Sequence, residues 1–336
     1  MKICEIGGQG VLEGVMMRGL KISALAVRKS SKEVVLSKTQ FVSKTRTNKF
    51  YGLPIIRGIV SFVEMLSFGV KTISDSAALY DEATTTEQPS KFDKFVADKL
   101  KLNPMDVMMF FAVVLAIGFA VLLFFILPNF VAKFISNSIE SSLIKNLIEG
   151  LIRIAVFVLY VLSISFVKDI KRLFMYHGAE HKVINCYEHE KELTVKNAQS
   201  FTTLNPRCGT SFLLIVMVVA ILLFSLFGWS ELWYVRIGIR LALLPIVAGI
   251  SYEILKLMAK SDNIIVKILR APGMALQRLT TKEPTDEMVE VSLLAFKAAE
   301  GITSNEELEE LRVEFSHGAV KKESEEDIEE NEASSD

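Results

Sequence analysis

The chain has 336 residues, a formal net charge of −1, 51% hydrophobic residues and a mean hydropathy of +0.37. Charged residues, 23% of the total, nearly vanish from several windows of about twenty residues, which excludes an ordinary soluble enzyme, and the apolar excess excludes a disordered chain. Balanced charge gives no reason to expect nucleic acid as a partner, and Cys4, Cys186 and Cys208 are too scattered for a disulfide framework. The start, MKICEIGGQG, lacks a signal-peptide core, so nothing points to secretion.

Residues 1–50 read as a small β-rich cytoplasmic unit. ALAVR and VVLSKTQF predict two strands around the turn-prone Lys29-Ser30-Ser31-Lys32. The preceding GGQGVLEGVMMRG matches neither GxGxxG nor a loop ending in GK[ST], so it reads as a tight, backbone-exposed turn rather than a phosphate cradle. Residues 51–105 combine a helix and a linker. From Pro54 to Tyr80 apolar residues fall at helical spacing, with Arg57, Glu64, Lys71 and Asp75 on one side. Such a helix lies on a membrane or packs on the soluble part. Residues 81–104 are polar and read as a connection.

Residues 106–258 predict a domain of about four membrane spans, over about residues 107–127, 147–167, 211–227 and 235–255. The first ends at Pro128. The second carries Glu149 and Arg153 near its start, and the fourth carries Arg236, Arg240 and Glu253 near its ends, where charges can snorkel to headgroups. Lys168, Lys171, Arg172, Lys182, Lys191, Lys196 and Arg207 lie between spans two and three, against Lys133 and Lys145 between one and two. The positive-inside rule then places the loop 168–210 and both termini in the cytoplasm of a multi-pass plasma-membrane protein. Residues 259–303 follow as a cytoplasmic helical region. Ala271-Pro272-Gly273 reads as a helix break, and a new helix starts after Pro284 with the stripe Met288, Val291, Leu294, Ala295 and Ala298. Residues 304–336 read as an acidic disordered tail, with eight acidic residues among the fourteen from Glu323 to Asp336.

Chemistry concentrates in Tyr176-His177-Gly178-Ala179-Glu180-His181-Lys182. His177 and His181 are four apart, so a helix puts them on one face, where both can hold one metal ion. With Glu180 they form H-x-x-E-H, the order found in inverted zinc metalloproteases, where the glutamate is the general base for an attacking water. The same residues also occur on ordinary solvated helix faces. Topology brings in Cys208, just before the third span, and Glu253, near the cytoplasmic end of the fourth. His₂Glu or His₂Cys is an acceptable open zinc site. The bland reading pairs Glu253 with Lys256, Lys260 or Arg207, and makes Cys208 a small apolar residue at a helix start. Arg18 and Arg57 sit in apolar surroundings and either bind an anionic group or pair with Glu13 or Glu64.

GGQGVLEGVMMRG, YHGAEHKVINCYE, NPRCGTSF, LPIVAGISYEILK and PGMALQRLTTKEPTDEMVEVSLLAF together resemble the DUF1385 family, the YqhQ-like bacterial membrane proteins. The resemblance runs in order from Ile6 to about Ala299. It implies an integral membrane protein of a group described as metal-dependent enzymes, with no established reaction. His177, Glu180, His181, Arg207, Cys208, Glu13, Arg18 and Glu253 match residue by residue. The family often carries a histidine before Pro-Arg-Cys-Gly-Thr, where this chain has Asn205, and that shifts weight to Cys208.

Two functions compete. One is a membrane-bound metal-dependent hydrolase, with His177 and His181 holding zinc or a similar divalent ion and Cys208 or Glu253 completing the site. Glu180 then moves the proton, and Arg18, Arg207 and Glu13 face a membrane-associated substrate. The other is a non-catalytic scaffold that docks a protein partner, its histidines forming a structural metal clip or a hydrogen-bonded core. Transport fits less well, because no polar path through the bilayer centre is legible.

Overall fold

The computed structural model describes residues 4–81, 104–135, 138–227, 229–230, 232–258, 261 and 263–316. Four strands, β1 (Gly7–Val11), β2 (Gly14–Arg18), β3 (Ile22–Arg28) and β4 (Val34–Gln40), form an antiparallel meander in sequence order. The glycine-rich segment is therefore a hairpin of two strands around Leu12 and Glu13 rather than one turn. Glu13 carries the left-handed backbone at φ 48°.

Strand alternation explains why β2 and β3 are almost wholly apolar. Val15, Met17, Ala24 and Ala26 face a core built with α6 (Lys168–Glu188) and α11 (Asp286–Glu300). Met16, Leu25 and Val27 face Phe68, Leu79 and Tyr80 of α2 (Ile56–Asp81). The sheet is thus the middle layer of three. A short α1 (Lys44–Thr47) precedes α2. The predicted amphipathic helix is α2, and it packs on the sheet at one end and on α9 (Trp233–Met258) at the other.

Helix α3 (Pro104–Val121) passes through a π-turn, Leu122–Ile126, into α4 (Leu127–Ile135). Pro128 does not end it. Proline lacks the amide that the Phe124 carbonyl would accept from in an α-helix, and Arg153 Nε donates to that carbonyl instead at 2.7 Å. Helix α5 (Ser142–Ile164) follows, then α6, the short α7 (Val195–Gln199), α8 (Gly209–Ser225), α9, α10 (Ile264–Thr280) and α11. Among the described residues, three stretches are long and apolar enough to cross a membrane: Val107–Ile135, Ser142–Ile164 and Trp233–Met258. The 17-residue α8 is equally apolar but shorter, reaching about 25 Å against roughly 30 Å of hydrocarbon.

The charges expected to snorkel turn inward instead. Glu149, Arg153 and Arg240 are buried. Arg153 donates to Glu149 at 2.7 Å, Arg240 pairs with the same carboxylate, and Asn146 accepts from Arg240 at 3.1 Å. Arg236 donates to Asn129 at 2.8 Å. An ion in an apolar helix bundle is tolerable when it is paired and hydrogen-bonded.

Two more boundaries differ from the expectation. Ala271-Pro272-Gly273 lies inside α10, which runs unbroken to Thr280. The tail begins as a helix over residues 305–316, because Leu308, Leu311 and Phe315 fall on one side and pack into the main core. The acidic stretch from residue 317, His317, and most of the 81–104 connection lie outside the described residues.

Candidate metal centre

Helix α6 carries His177, Glu180 and His181 one turn apart, and the turn before α8 carries Cys208. The ligand atoms of His177, His181 and Cys208 lie within 4.8 Å of one another. Both imidazoles are oriented from behind. His177 Nδ1 lies 2.9 Å from the Thr280 carbonyl, and His181 Nδ1 lies 2.5 Å from the Thr203 carbonyl. A carbonyl only accepts, so each Nδ1 is the nitrogen that donates. Each Nε2 is left to act as acceptor or ligand. His177 Nε2 faces Cys208 Sγ at 3.2 Å, and the rings stand edge to face with centroids 4.5 Å apart.

Glu180 is buried behind this pair. Its Oε2 is 3.4 Å from His181 Nε2 and 4.0 Å from His177 Nε2, and has no hydrogen-bond partner among the described residues. Burial pushes its carboxyl up to about 7, opposed by His177 and the Gly8 amide. An orphaned buried carboxylate oxygen beside two ligand-ready nitrogens and a thiol is a donor set that a divalent cation would complete.

Two sequence features make the centre possible. Strand β1 lies directly on α6: a Cβ on Gly10 would come 2.6 Å from the Leu173 carbonyl and 2.8 Å from the His177 amide, and one on Gly8 would come 2.9 Å from Glu180 Cγ. The glycines of GGQG serve this close approach. Gly178 faces the segment after α10, where a Cβ would meet the Lys282 carbonyl. That contact seats Thr280 behind His177. Glycine inside a helix costs about 1 kcal/mol, and that cost is the sequence signal for this contact. The Thr203 and Thr280 carbonyls carry no signal, because every residue has one. Gln277, fully buried, clamps the approach to Cys208: it accepts from Asn205 N at 2.9 Å and donates to Asn205 O at 2.7 Å.

The remaining expected site residues lie elsewhere. Glu253 does not join the cluster: it accepts from Arg57 Nε at 2.7 Å and pairs with the same guanidinium through its other oxygen. Arg207 forms a forked pair with Glu188 at 2.6 and 2.8 Å. Glu13 pairs with Arg172 and accepts from the Tyr176 hydroxyl at 3.2 Å. Arg18 lies 3.7 Å from Glu64 and sits over the Phe41 ring. Arg57 and Arg18 thus have carboxylate partners, but with Glu253 and Glu64 respectively, and Glu13 serves neither.

These features define a mainly helical protein with, among the described residues, three helices of membrane-crossing length, a small N-terminal sheet and a largely buried His/His/Cys cluster at α6 and the turn before α8. The model of the family described as "Protein of unknown function (DUF1385)" matches residues 53–301, and the chain belongs to that family. The "Uncharacterized protein YqhQ" of Bacillus subtilis (strain 168) is 35% identical over 295 residues, 86% of this chain and 90% of the relative. Among solved structures none matches.

Proposed function

We propose that this chain is a four-span membrane-bound, metal-dependent hydrolase with its centre at the cytoplasmic face, the shorter α8 being the third span in chain order. The observation that carries the reading is the pair of backbone carbonyls, Thr280 and Thr203, that engage both Nδ1 atoms and leave both Nε2 atoms as ligands in a cluster with Cys208, which His177 Nε2 faces directly. Zinc suits a His₂Cys donor set, and there it supplies Lewis acidity toward water or a substrate oxygen. The chain's own residues do the rest. Glu180 holds or accepts a proton beside the two Nε2 atoms, and β1 packs against the helix that carries them. Asn205, in the place of the family's frequent histidine, anchors its loop on Gln277 rather than adding a ligand.

A second reading, a structural clip in a scaffold protein, is favoured by the position of Glu180 Oε2. At 3.4 Å from His181 Nε2 it stands where a fourth ligand would close the site.

Metal analysis of untagged, detergent-purified protein tests the metal. About one ion per chain is expected, lost in His177→Ala and His181→Ala with helicity retained. Absence of metal after metal-replete, chelator-free purification sinks both metal readings. Glu180→Gln separates them: metal kept in this variant favours the enzyme, and metal lost favours the clip.

A further inference from the structure

A cavity of about 280 Å³ opens where α8, α9 and α10 meet the Pro206-Arg207 turn. Its walls are mostly apolar, with Leu214, Ile215, Leu255, Met258 and Leu269 among them. Three cations, Arg207, Lys256 and Arg270, also line it, and no carboxylate does. Arg270 is held in place by the Met258 and Ser261 carbonyls. Around it the surface is aliphatic: Leu257, Ile264, Ile265 and Ile268 are each more than three-fifths exposed. An apolar chamber with a cationic lining, opening through an aliphatic surface at the ends of apolar helices, complements one kind of molecule, an acyl chain with an anionic head.

The cavity shares a wall with the histidine centre. Pro206, Arg207 and Ser211 line it, and Cys208 lies between them in sequence. Gln277 ties this segment down, donating to Ser211 Oγ at 3.1 Å as well as holding Asn205. Whatever fills the cavity therefore presses on the turn that presents Cys208 to His177.

We infer that this cavity binds an anionic phospholipid of the cytoplasmic leaflet, its acyl chain among α8, α9 and α10 and its phosphate at Lys256 and Arg270, beside the Glu188-paired Arg207. Binding stands on the cavity alone. That such a lipid is the class of molecule presented to the His/His/Cys centre rests on the enzymatic reading above.

Native mass spectrometry of the full-length protein in detergent tests this with phosphatidylglycerol, phosphatidylcholine of the same chains, and inorganic phosphate. Phosphatidylglycerol should bind about tenfold or more tighter than phosphatidylcholine, and inorganic phosphate should not compete. Lys256→Glu, at an exposed position, and Leu269→Trp, which fills the chamber, should each weaken phosphatidylglycerol about fivefold or more. Equal affinity for the two lipids, or unchanged phosphatidylglycerol binding in both variants, overturns the site. Competition by inorganic phosphate overturns its assignment to a lipid. Metal content of the same samples keeps the two readings apart: lipid preference without metal sinks only the enzyme, and metal without lipid preference sinks only this site.

Discussion

Arg153 Nε donates at 2.7 Å to the Phe124 carbonyl, the one that would accept from residue 128 in a regular α-helix, where Pro128 has no amide hydrogen. The same guanidinium donates to Glu149 at 2.7 Å. A single side chain thus repairs a break in one helix and neutralises a carboxylate in the next. Arg153→Met should destabilise the protein by about 3 kcal/mol, because it leaves a buried carboxylate short of one partner and takes the Arg153 hydrogen bond from the Phe124 carbonyl. The coupling to Pro128 is the specific claim. In a Pro128→Ala background the helix regains an amide near Phe124, and the cost of Arg153→Met should fall by about 1 kcal/mol. Unfolding in mixed detergent across the four proteins measures it, and strictly additive costs would remove the link.

The glycines of β1 separate packing from backbone freedom. A Cβ on Gly7 meets nothing within 4 Å, whereas one on Gly10 meets the Leu173 carbonyl at 2.6 Å and the His177 amide at 2.8 Å. Gly7→Ala should be silent in thermal stability and metal content. Gly10→Ala should cost about 2 kcal/mol, since neither obstacle is a movable side-chain tip, and should lower bound metal by shifting α6. Equal behaviour of the two variants would contradict the strand–helix contact.

What could be read from the chain was local or topological. His177 and His181 share a face because a helix repeats every 3.6 residues, and Cys208 comes near because both ends of one loop return to one side. What could not be read were choices among partners. Glu253 had several nearby bases in sequence, and it pairs with Arg57, 196 positions away. Arg153 and Arg240 looked free to snorkel, and only packing shows that Glu149 and Asn146 face them. The hairpin at Gly7–Arg18 was hidden because glycine has low strand propensity, although here it is chosen for what lies above the strand. The helix over 305–316 was legible in principle: Leu308, Leu311 and Phe315 keep helical spacing that an average over acidic composition conceals.

Cys4 gives a pH test of the N-terminal packing. Burial pushes its thiol up to about 11, assisted by the Glu188 carboxylate, which also accepts from the Cys4 amide at 3.1 Å. The thiolate is the reactive form, so alkylation of Cys4 should keep rising about tenfold per pH unit to about pH 11. An unperturbed thiol levels off above about 8.5. Maleimide labelling followed residue by residue in a mass spectrometer measures this. A plateau near pH 9 would mean that Cys4 is not packed against Ile6 and Glu188 as described.

Glu253 offers the sharpest discrimination between two roles for one residue. If it were a metal ligand, Glu253→Gln would strip the ion. The geometry assigns its carboxylate to Arg57 and the Ile55 amide, joining the start of α2 to α9. Glu253→Gln should therefore leave metal content unchanged and lower stability by about 1–2 kcal/mol, the worth of charge-assisted hydrogen bonds with both side chains only about a fifth to a quarter exposed. Arg57→Gln should cost about as much. The double variant should cost less than the sum, because neither charge is then left facing an empty place. Metal loss in Glu253→Gln with Arg57→Gln fully loaded would return Glu253 to the coordination sphere and require α9 to move toward α6 when the ion binds.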